Sequence, residues 1–98
     1  MRIALFKSEE AADYVLGSDD VDIAIIERNK RGRFHCRVIA FKSAVDEVIR
    51  SSSGFQPVKD STVFIAHNRT AGQVLTILGR LFDISPDENI MDLRFRNA

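Results

Sequence analysis

A single cysteine, Cys36, is present in the 98 residues, so no intramolecular disulfide can form and no thiol pair exists for a zinc site. A reducing cytoplasm is therefore the expected home. No apolar run approaches the ~20 residues needed to cross a bilayer, and residues 1–7 meet Glu9 and Glu10 at once, where a signal peptide would carry a longer apolar stretch. A soluble, unprocessed chain is expected. Net charge is missing too: 14 Lys and Arg balance 14 Asp and Glu, whereas dedicated nucleic-acid binders usually carry a clear cationic excess. Repeats and low-complexity segments are absent, and the length has room for one hydrophobic core, so residues 1–98 are read as a single α/β domain. With 45% apolar and 29% charged residues, the composition is that of a folded globular protein.

The charges that are present are segregated. Between residues 8 and 27 every charged side chain is acidic (Glu9, Glu10, Asp13, Asp19, Asp20, Asp22, Glu27), and between residues 28 and 42 every one is basic (Arg28, Lys30, Arg31, Arg33, Arg37, Lys42). Screening at physiological salt acts over ~8 Å, so a local patch keeps its character although the whole chain is neutral.

Residues 2–6 form an apolar run that reads as a buried strand, followed by Ser8 as N-cap of a short helix over residues 9–16 that Gly17 ends. Residues 21–27 and 34–41 are rich in β-branched side chains and flank Asn29-Lys30-Arg31-Gly32, which has turn composition; an antiparallel hairpin with a basic tip is predicted. Ser43 opens a second helix, with Asp46 placed as in a capping box and Ala44, Val45, Val48 and Ile49 at helical spacing. Residues 54–61 are Gly-, Ser- and Pro-punctuated and read as a flexible connection.

Residues 62–66 are continuously apolar, as in a strand buried on both faces, and Thr70 with Gln73 makes a capping box for the strongest helix, whose stripe is Val74, Leu75, Ile77, Leu78, Leu81 and Phe82. Ser85-Pro86-Asp87-Glu88 suggests one further helical turn, and Met91, Leu93 and Phe95 alternate with polar residues as in a final half-exposed strand. The predicted fold is a two-layer α/β (α+β) sandwich, with a ferredoxin-like βαββαβ core extended by a C-terminal helix and strand, which could cover the open sheet face.

Alternation along residues 33–41 places Phe34, Cys36, Val38 and Ala40 on one face and Arg33, His35 and Arg37 on the other, the latter ~7 Å apart along the strand. With Arg28, Lys30 and Arg31 at the tip, they form a row of cationic or titratable groups able to track a phosphodiester backbone. The same charges could instead keep an exposed hairpin soluble, or pair with the acidic block. The aromatic face on which four-stranded RNA-recognition domains stack bases is not matched, because the open face begins Arg33, His35, Arg37.

A second anion site is suggested by His67, Asn68, Arg69 and Thr70, which lie between a buried strand and a helix N-terminus. A glycine-rich phosphate loop is lacking, since Gly72 stands alone. Cys36 reads as a small buried hydrophobe that the adjacent His35 cannot activate, because neighbours on a strand point to opposite faces. The two histidines show no metal-ligand spacing, and Asp19, Asp20 and Asp22 fall short of a calcium loop. No metal, cofactor or catalytic residue is assigned. The expectation is a small non-enzymatic binding protein whose basic hairpin contacts nucleic acid or another polyanion. The alternative is a protein-interaction or inhibitor module, with a homo-oligomer as one form of it, using complementary charge and an edge strand.

Overall fold

Ile is the commonest residue of the segments that pair, and in the computed structural model, which describes residues 2–6, 21–59, 62–84 and the backbone of 90–92, these segments form one six-stranded sheet. The strands are β1 (Ile3–Phe6), β2 (Ile23–Lys30), β3 (Arg33–Ala40), β4 (Gln56–Pro57), β5 (Val63–His67) and β6 (Ile90–Asp92). Helix α1 (Ser43–Ser51) precedes β4, and α2 (Ala71–Leu81) follows β5. The hydrogen-bonded order is β4-β5-β3-β2-β1-β6. β1 is parallel to both β2 and β6, whereas β2 with β3, β3 with β5, and β4 with β5 are antiparallel.

The α/β sandwich expectation therefore holds at the level of class, and the ferredoxin-like arrangement does not. That arrangement splits its first two parallel strands with another strand, whereas Ile3–Phe6 pairs directly with Ile23–Ile26. Alternating apolarity defines each strand's faces but carries no information about which strand lies next to it. The predicted helix at residues 9–16, the turn at 85–88 and the strand residues 93–96 lie outside the described residues.

Both helices pack on the same side of the sheet. Val45 and Ile49 of α1 and Ala71, Val74 and Leu78 of α2 join Ile3, Leu5, Ile23, Ile25, Cys36, Val38, Ala40, Phe64 and Ala66 in the main core. The C-terminal helix thus shares a face with α1 and leaves the opposite face alone, contrary to the covering role expected of it. The helical stripes are also narrower than predicted: Ala44, Val48 and Leu81 are exposed, while Leu75, Ile77 and Phe82 are packed against the edge of the core. A second cluster on the other face holds Ala4, Phe6, Val21, Ala24 and Ile26, with Ile39 and Phe41 against it.

Local signals fared unevenly. The Thr70–Gln73 capping box is present in both directions: Gln73 N–H donates to Thr70 Oγ1 at 3.2 Å, and Thr70 N–H donates to Gln73 Oε1 at 2.9 Å. At α1 the N-cap is Lys42, without a side-chain capping bond, and Asp46 pairs instead with Arg50 at 2.9 Å across one helical turn. The segment read as a flexible connection contains β4, whose Pro57 is tolerated because it lies on an edge strand. β5 is buried on one face through Phe64 and Ala66, but its other face ends in exposed His67 rather than being covered throughout.

Asp22 ties three strands together where the sheet begins. Its carboxylate accepts from the Arg2 N–H at 2.9 Å and pairs with Lys42 at 2.6 Å, while its carbonyl accepts from Phe41 N–H at 2.8 Å. Burial alone would raise this carboxyl's pKa, but Lys42 and the Arg2 amide together hold it below the ordinary carboxylate value. A folded-state pKa below the unfolded one means that Asp22 stabilises the fold above the unfolded value of about 3.9 and that this contribution is lost as pH falls through the folded value. Asp22→Ala is expected to lower stability at pH 7 by about 1–3 kcal/mol, because the Arg2 amide and the Lys42 ammonium both lose a charged acceptor. The deficit relative to the parent should shrink below about pH 4 in urea melts recorded across pH.

Candidate functional site

The β2–β3 hairpin outruns its neighbours. Its pairing continues to Lys30↔Arg33, whereas β1 stops at Phe6↔Ile26 and β5 stops at His35↔His67. The turn is the two-residue Arg31-Gly32, both with positive φ (54° and 74°), as the right-handed twist of a two-residue hairpin demands. Glycine suits that conformation, and nothing lies within 4 Å of where its Cβ would be. Arginine at position 31 adopts it at a conformational cost.

Because side chains alternate, the face opposite the helices collects Arg28 and Lys30 from β2, Arg33, His35 and Arg37 from β3, and His67 from β5. The other halves of β2 and β3 carry the second apolar cluster through Ala24, Ile26 and Ile39, so one sheet face is divided into an apolar half and a cationic half. Lys30 and Arg33 are directly opposed, an unfavourable pairing of like charges. Among the described residues, Lys30, Arg31 and Arg33 have no carboxylate partner. With His35 they line an open concavity of about 520 Å³. Phe34, expected to point inward, does lie on the helix side of the strand, but it is 36% exposed because the hairpin has passed the end of the core.

His35 and His67 meet across the β3–β5 register. Their Nδ1 atoms are 3.2 Å apart and their rings are edge-to-face at 85°. His67 Nε2 lies 3.2 Å from Gln56 Oε1. Since an amide oxygen only accepts, His67 Nε2 is the donor to Gln56, and of the two Nδ1 atoms one donates to the other. Their separation of 32 residues hides this pair from any reading of local spacing; only knowing that β3 and β5 are neighbours, and in which register, would have found it. On the far side of His67, a depression of about 300 Å³ is lined by Gly54, Phe55, Gln56, Ile65, His67 and Arg69.

The four residues 67–70 do not converge on one point. His67 turns to His35; Asn68 occupies the left-handed conformation (φ 57°) of the strand-to-helix turn, which asparagine tolerates; Arg69 places its guanidinium against Gly54; and Thr70 caps α2. Two of the helix-end donors are engaged as well, because Ala71 N–H donates to the Glu27 carboxylate and Gln73 N–H to Thr70. Glu27 thus stands where an external anion would bind, with its charge favourably placed at the helix N-terminus.

Cys36 is fully buried, its Sγ–H donates to the Arg69 carbonyl at 3.1 Å, and burial, with Glu27 adding to it, pushes the thiol pKa up to about 12. Thiolate chemistry is thereby suppressed. The native protein is expected to consume no thiol reagent at pH 8 over minutes and one equivalent after denaturation. Rapid native labelling would contradict the packing.

Comparison with protein-family models, curated proteins and solved structures finds no match for this chain. Among the described residues, no helix is long and apolar enough to cross a membrane.

Proposed function

We propose that the chain is a non-enzymatic binding protein that uses the cationic half of its sheet face, led by the β2–β3 hairpin, to contact nucleic acid or another polyanion. The observation that carries this reading is the opposed Lys30–Arg33 pair with Arg31 at the tip, left without carboxylate partners among the described residues around a concavity. Like charges facing one another across strands destabilise a hairpin, and an anion between them removes the penalty. Arg33, His35 and Arg37 follow one another on the same face of β3 at ~7 Å intervals, a row of polar donors that suits a repeating phosphate ligand better than a single carboxylate.

Fluorescence anisotropy with labelled single-stranded and duplex oligonucleotides tests it. Binding should be in the micromolar range near 50 mM salt and fall linearly in log K against log salt, by ~0.7 per neutralised phosphate on single strands and ~0.9 on duplex. The oligonucleotide should remain intact. Absence of binding at 50 mM salt, or binding indifferent to salt, would remove the proposal. The position of β6 at the end of the sheet favours a second reading, association through strand addition. A strict monomer in light scattering at both low and high salt would exclude its self-association form.

A further inference from the structure

We propose that His35 and His67 form a two-imidazole chelate for a divalent transition-metal ion, with Gln56 as the outer partner that fixes the His67 tautomer. Two nitrogens each ~2.0–2.1 Å from a tetrahedral zinc stand roughly 3.3 Å apart, and the two Nδ1 atoms are already 3.2 Å apart. In the free protein the two lone-pair directions share one proton. Replacing that proton by a metal ion requires the rings to tilt so that both Nδ1 atoms converge on one point. The side-chain torsion involved is the broad, soft χ2 of histidine.

The remaining geometry suits a ligand pair. His35 and His67 come from facing positions of two hydrogen-bonded strands, so their separation is set by the sheet rather than by a loop. Metal-bound histidine almost always donates its second ring N–H to an oxygen acceptor, and Gln56 Oε1 is in place for His67 Nε2–H. The pair stands between the two open depressions, His35 lining one and His67 the other, so water can fill the other coordination positions. Among the described residues no group of three histidine, cysteine or carboxylate ligands exists, so the site is a bidentate one of modest affinity, best suited to copper(II), nickel(II) or zinc(II).

The neighbours shape the affinity. Arg28 faces His35 in register, Arg33 and Arg37 flank it on β3, and Lys30 lies beyond, so a dication is repelled by its surroundings. Raising salt screens that repulsion. Metal affinity should therefore rise with ionic strength, the reverse of the trend expected for polyanion binding, and the two proposals can fail independently.

The test is calorimetric titration of the intact protein with copper(II) or zinc(II) chloride, beside His35→Ala, His67→Ala, Gln56→Leu and Cys36→Ser. One ion per chain is expected, bound at least tenfold more weakly in either histidine variant, severalfold more weakly in Gln56→Leu and unchanged in Cys36→Ser. Affinity should fall as the solution is acidified, since protons compete with the metal ion for the ring nitrogens. Nitrogen-15 spectra of labelled histidine supply a readout independent of affinity: zinc should shift both Nδ1 resonances while His67 Nε2 stays protonated. Affinity unchanged in both histidine variants, or coordination through Nε2, overturns the proposal, as does weaker metal binding at higher salt.

Discussion

Replacing Lys30, Arg31 and Arg33 together by alanine is expected to flatten the salt dependence of duplex binding by about 2.7 in slope and to weaken it on the order of a hundredfold at 0.15 M salt. The basis is that each cation displaced from a phosphate forfeits the release of its counterion, and these three are the hairpin cations without carboxylate partners among the described residues. The fold should tolerate the change, because all three side chains are exposed and the opposed Lys30–Arg33 pair is itself unfavourable. A variant that melts like the parent, or slightly higher, yet binds with a shallower salt slope would place the contact on the hairpin. A variant whose slope equals the parent's would move the contact elsewhere on the molecule.

Phe64→Ala is expected to cost about 3–5 kcal/mol, whereas Phe34→Ala should cost less than about 1 kcal/mol, although both rings lie on the helix side of the sheet. Phe64 is 0% exposed, in the core that both helices cover, and its removal leaves a cavity the size of a ring. Phe34 is 36% exposed, beyond the point where β5 ends, and there is little around it to collapse or to lose. Chemical denaturation of the two variants would measure the difference directly. Against a total of about 5–15 kcal/mol for a domain of this kind, the first change approaches a loss of folding and the second is nearly silent. Equal effects would mean that the hairpin tip is packed against something after all.

The contrast between these two phenylalanines also shows how far the sequence could be read. Alternation assigned each residue of β3 to its correct face, and the capping box at Thr70 was visible because it is a contact between residues three apart. Depth within the core was not visible, since burial of Phe34 depends on where a strand 30 residues away happens to stop. The neighbour order of the strands was equally hidden, and with it the ferredoxin-like expectation failed and the His35–His67 pair went unseen. The hairpin cations were legible because charge segregation and turn composition are local properties. The fate of the anion site at α2 was not, because the carboxylate that caps the helix belongs to Glu27, 44 residues earlier.

The left-handed residue at the hairpin apex bears on how the protein could change. Asparagine or glycine at position 31 would sit in that backbone more comfortably than arginine. A chain drifting toward thermal robustness alone would shed the guanidinium there. Under the proposed function, Arg31→Gly should raise the melting temperature while weakening polyanion binding, so that heat tolerance and ligand affinity make opposing demands on one amino acid.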